Sequence, residues 1–373
     1  MSVIRPRPPS DPVHHVVERR GPLAEGGPAA DHYREWLSRA EAVRSDVASG
    51  EASGTASAIL AAYGTLGAFA RRTESGLFAI LERARLVREA VDLVVVVGDR
   101  ADRAVVDLLV ATCCHPFHDL LPRHERGGRP RIVTLDPGDD DDRIQGVVDL
   151  VGITSGDRVC DAWLPLAAGP CREGEAGEIL ALLEATWGRG RAGGAGAGGT
   201  HAGVVGAERE VPTIGGGAPW SALLAAAIVG VDVVRFLEGA AAMERRFRES
   251  AAEANPVLTA AAVGPSLGAA GQGEAAPRRR LLAPAHWQGL VAWHDVLVGG
   301  HATGASGERF DTTLAVEAFR RAPFGQRRRP APDLCRATGS AADRIDLPRA
   351  DEHTIGQVLA LLILENEVAR RLG

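Results

Sequence analysis

Five short apolar runs, Leu93 to Val97, Arg131 to Leu135, Ala162 to Leu166, Ala202 to Val205 and Val211 to Ile214, are each closed by turn-forming residues. They alternate with stretches of helical period: Ala104 to Val110 lies between the first two, and EAGEILALLEATW precedes the fourth. A chain that alternates strand and helix needs crossover connections. These place helices on both faces of a parallel sheet. Upstream, Tyr33, Trp36 and Leu37, then Leu77, Ile80, Leu81, Ala84 and Val87, recur at helix spacing and predict helices that cover a sheet.

The glycine-rich GRGRAGGAGAGGT, residues 188 to 200, reads as a flexible connector. Gly264 to Pro277 reads as a weaker linker, after which RRRLLAP can start a strand. The expected organisation is a disordered leader over 1–30, a helical cap over 31–90, a first α/β lobe over 91–230 and a shorter second lobe over 231–373. A length of 373 residues is enough for two separate cores.

A net charge of -6 gives no general attraction to a polyanion, so nucleic acid is not an expected partner. The arginine triplets 278–280 and 327–329 lie in Pro/Gly/Ala-rich surroundings and read as solvated loops. All 42 basic residues are arginine, and without lysine a Schiff base or a Walker-type phosphate lysine is excluded. Five cysteines without framework spacing predict a reducing compartment, hence the cytoplasm. The first 30 residues carry no signal-peptide core and no run reaches transmembrane length, so no membrane association is expected.

Three local patterns bear on chemistry. VVVVGDRAD, residues 94 to 102, has the layout of a phosphate-binding strand, turn and helix, yet Asp99 and Asp102 repel an anion while Arg100 and Arg103 attract one. CCHPFH, residues 113 to 118, has the residue types of a metal site, but adjacent cysteines point apart and no second ligand pair follows, so packing is expected and no metal. DPGDDDDR, residues 136 to 143, lacks the glycine and glutamate of a calcium loop and reads as an acidic helix start.

Three longer segments resemble one family. HPFHDLLPRHERGGRPRIVTLDPGDDDDRIQGVVDLV (115–151) is similar to the segment after the first phosphate loop of glucose-6-phosphate isomerases. SALLAAAIVGVDVVRFLEGAAAMERRF (221–247) resembles their long helical signature, and ADEHTIGQVLALLILENEVARRLG (350–373) their late helix. The resemblance implies an α/β protein of two sugar-isomerase-type (SIS) doubly wound lobes with parallel sheets and a helical N-terminal cap. It further implies a sugar phosphate as ligand, no cofactor, and a homodimer or an association with a related subunit.

The family reaction moves a proton between C1 and C2 of glucose 6-phosphate through an enediol, which requires an anion cradle, a base, a ring-opening group and charge stabilisation. By position the resemblance assigns substrate contacts to Gly98, Asp99, Arg100, Arg103, Gly215 and Gly216. The second phosphate loop corresponds to DAWLPLAAGP, which supplies no hydroxyl donor, and the position of the arginine after the glycine pair holds Gly217 or a gap. Where the family carries its glutamate base this chain reads Gly299-Gly300-His301, so His301 is the single catalytic candidate. No histidine occurs between 310 and 345 for ring opening, and the family's C-terminal lysine would lie past Gly373. The expectation is a family member with lost or strongly impaired catalysis and a binding or regulatory role. The alternatives are an active isomerase with a rebuilt site, and a non-catalytic sugar-phosphate sensor.

Overall fold

The computed structural model describes residues 12–17, 23, 25, 27, 29–48, 76–98, 100–115, 117–136, 138–155, 163–168, 178–179, 181–183, 185, 219–270, 279–283, 287–298, 312–318, 342–347 and 351–372. In chain order the first elements are β1 (His14–Val17), α1 (Ala30–Ala48), α2 (Gly76–Ala90), β2 (Leu93–Gly98), α3 (Arg100–Cys113), β3 (Arg131–Leu135), α4 (Asp141–Ser155) and β4 (Trp163–Ala168). There follow α5 (Pro219–Ile228), α6 (Val233–Glu249), α7 (Pro256–Ala270), β5 (Arg279–Leu282), α8 (Gln288–Leu297), β6 (Thr312–Ala318), β7 (Ala342–Leu347) and α9 (Glu352–Leu372). The chain forms two compact units, one from Met1–Ser49, Glu238–Pro284 and Gly304–Gly373, the other from Gly50–Leu237 and Ala285–Thr303.

The unit containing β2 holds a three-stranded parallel sheet in the order β3-β2-β4. Leu93 through Val97 are all fully buried, which requires cover on both faces and explains an unbroken apolar run in place of alternation. Leu93, Val95 and Val97 pack on one face with Leu135, Val147, Val148 and Val151. Helix α8 lies close on α3, since a Cβ at Gly289 would meet the Leu108 amide nitrogen at 2.8 Å and the Ala104 carbonyl at 3.0 Å.

The other unit holds a four-stranded sheet in the order β1-β7-β6-β5. Strands β5, β6 and β7 are parallel, but β1 pairs antiparallel with β7, so this sheet is mixed and not purely parallel as expected. The physical reason is that β1 arrives at the sheet edge from the N-terminal segment, free of the crossover that forces a parallel partner. It also lies in the stretch expected to be a disordered leader, where the Val13 amide donates to Gln357 Oε1 at 3.1 Å. Helix α9 is buried continuously from Thr354 to Glu365. At its start the Asp351 carboxylate accepts from the Thr354 amide at 2.9 Å, and the backbone of His353 presses against Gly239 of α6.

The segment expected as one helical cap, 31–90, is divided between the units. Helix α1 buries Leu37, Ala40 and Val47 and packs against α7 and α9, whereas α2 packs against α5. The expected linker from Gly264 is helical as far as Ala270, because α7 is rich in small residues and buries Val257 through Val263. The connector 188–200 lies outside the described residues.

Candidate functional site

The C-terminal edge of the parallel sheet is where an α/β fold places ligands. There β2 ends at Gly98 and α3 begins at Arg100, as the sequence pattern predicts. Asp99 and the Arg100 side chain lie outside the described residues. Arg103, one turn into α3, is placed in detail. Its Nη1 donates to both oxygens of Asp139, at 3.1 and 3.2 Å, and its Nε donates to Asp107 at 3.4 Å.

Asp139 comes from the turn after β3, which enters α4. Its Oδ2 also accepts from the Asp136 amide at 2.8 Å and from Arg143 Nε at 3.0 Å. Arg143 further donates to the Thr134 carbonyl at 3.1 Å, and the Thr134 hydroxyl donates to Asp107 at 3.0 Å. Burial by itself would raise the Asp139 pKa, but the Asp136 amide together with Arg103 and Arg143 outweighs it and holds the carboxyl below the usual range. Burial dominates at Asp107 and pushes its carboxyl above that range, against Thr134, Arg103 and Arg143. The Arg103 guanidinium, expected from the sequence to attract an anion, is thus paired with the Asp139 carboxylate.

The acidic turn otherwise acts as a helix start. The Asp140 carboxylate accepts from the Arg143 amide at 2.8 Å, and Asp141 and Asp142 occupy the first turn of α4. In CCHPFH, His118 is buried with Nε2 at 3.2 Å from the Pro130 carbonyl, and His115 Nδ1 accepts from the Phe117 amide at 3.1 Å. Cys114 Sγ lies 3.9 Å from the Val229 carbonyl. Gly215, Gly216 and His301 lie outside the described residues, so of the expected site residues the structure brings only Gly98, the start of Arg100 and Arg103 to one edge. Sequence reasoning missed Asp107 and Asp139 as partners of Arg103, and Thr134 and Arg143 as the groups that hold those two carboxylates. Only Asp107, four residues along the same helix, carried a local signal.

Strand, crossover helix and strand define an α/β protein, and among the described residues no helix is long and apolar enough to cross a membrane. No family model matches the sequence. No curated protein matches it either. Among solved structures the chain is similar to a hypothetical protein from Thermus thermophilus, with a TM-score of 0.61 and 14% identity over 96% of this chain and 94% of that one. It is also similar to a glucose-6-phosphate isomerase from Chlamydia trachomatis, with a TM-score of 0.49 and 11% identity over 79% of this chain and 68% of that one. The first likeness shows a shared fold.

Proposed function

We propose that this chain is a divergent glucose-6-phosphate isomerase family protein, built as two SIS-type doubly wound lobes, whose isomerase chemistry is lost or strongly impaired. In this reading it persists as a binding or regulatory partner in the cytoplasm, as a homodimer or beside a related subunit. Gly98, Asp99, Arg100, Arg103, Gly215, Gly216 and His301 mark where the remnant site belongs.

The observation that carries the reading is the capture of Arg103 by Asp139 and Asp107. An incoming phosphate dianion would have to displace Asp139 from four hydrogen bonds and would then sit beside two carboxylates. Support also comes from the three family-like segments, which fall on α4 and its approach, on α5 with α6, and on α9. The segments that pack are retained, while the positions that react hold other residue types.

A coupled assay for fructose 6-phosphate tests the proposal. The expected result is no formation above the uncatalysed rate. Turnover that His301→Ala abolishes would overturn it and establish a rebuilt site.

A further inference from the structure

The opposite, N-terminal edge of the same parallel sheet gathers five arginines: Arg88 at the end of α2, Arg123, Arg126 and Arg129 in the turn that leads into β3, and Arg131 at the first position of β3. Two of them have structural tasks. Arg88 Nε donates to the carbonyls of Ala227 and Ile228 at 3.2 and 3.0 Å. Arg123 donates to the Val91 carbonyl at 2.8 Å, to the Arg88 carbonyl at 2.6 Å and to the Asp92 carboxylate, which fastens the turn to the end of α2.

The other three are different. Arg126 is only 7% exposed, yet its Nε and Nη1 are buried without a hydrogen-bond partner. Arg131 Nε is buried in the same condition. The Arg129 guanidinium lies against Gly230, whose φ of 91° suits glycine and where a Cβ would collide with it. Burial pushes the Arg126 pKa down, and the charges of Arg131 and Arg123 push it further, with only Asp119 opposing. Asp119 itself accepts from the Ile132 amide at 3.3 Å. Neighbouring His118 adds no cation, since burial lowers its pKa. A buried guanidinium whose nitrogens lack hydrogen-bond partners is costly, and proteins resolve that cost by pairing it.

We propose that Arg126, Arg129 and Arg131 form a binding site for a phosphoryl dianion, separate from the Gly98 to Arg103 edge. A phosphoryl group fits better than a carboxylate because three forked cations outnumber the two oxygens and single charge of a carboxylate, whereas three terminal oxygens and two charges match them. The proposal stands whether or not the isomerase reading holds.

The test is calorimetric titration of the full chain with inorganic phosphate, with acetate at matched ionic strength as comparison. The expected result is saturable phosphate binding that exceeds acetate binding and is weakened at least about tenfold by Arg126→Met, with exposed Arg34→Gln unchanged. Arg131→Gln gives the same reading if the first variant fails to fold, and the wild-type melting temperature rises with phosphate but not with chloride. No binding and no melting shift in the wild type would overturn the proposal. So would binding that Arg126→Met and Arg131→Gln retain within about twofold, or that is lost in Arg103→Gln instead.

Discussion

Asp139 accepts four hydrogen bonds within 3.2 Å from three donors, and its saturation sets what Arg103 can do. Replacing Arg103 by alanine leaves Asp139 and Asp107 less balanced, and the expected cost is about 2 kcal/mol by urea denaturation at pH 7. Because the folded Asp139 pKa lies below its unfolded value, its contribution is complete at neutral pH and is lost as the pH falls from about 4 through the folded value. Asp107 has the opposite sign: its folded pKa is raised, so its penalty is complete above that value and is relieved as the pH falls toward the unfolded one. In Arg103→Ala both carboxyls lose a cation and rise. The urea midpoint of the variant should therefore fall less steeply between pH 6 and 3 than that of the wild type, and identical slopes would show that the ion pair contributes nothing.

Helix contacts and strand positions make sharper predictions than single ion pairs. Gly239→Ala places a methyl against the His353 backbone, which cannot swing aside as a side chain can, and should cost about 3 kcal/mol. Gly146→Ala on α4 meets nothing within 4 Å and should stabilise by about 0.5–1 kcal/mol, so thermal melts of the pair separate packing from helix propensity. Hydrogen exchange should find the highest protection in this unit in β2, flanked on both sides, and equal protection in β2 and β4 would contradict the order β3-β2-β4. Strand β2 was legible because double-sided burial forces a continuous apolar run; it extends its expected span only by Gly98, and β3 matches its own. Strand β4 lies slightly later than the apolar pattern suggested, ending just before Gly169. Strand β1 was not legible, since HHVV is four residues long and its partner is more than 300 positions away. In α7, small residues that permit close helix packing gave the composition of a linker.

Among the described residues the alternation of strand and helix from Leu93 to Ala168 was readable, and the expected runs 202–205 and 211–214 lie outside them. Each unit is discontinuous in the chain. Around the end of β2 only the local pattern was legible. Gly98 and Arg103 stand at the strand end where the pattern put them, yet the carboxylate that neutralises Arg103 comes from 36 residues away and only folding brings it there. The account as a whole rests on one chemical claim, that the scaffold no longer moves the proton between C1 and C2 of a sugar phosphate. Incubating the full chain with glucose 6-phosphate in deuterium oxide, and following the C2 proton by NMR, tests that step without waiting for net turnover. The account predicts that the C2 proton signal persists as in a protein-free control. Enzyme-dependent deuterium incorporation that His301→Ala removes would contradict it.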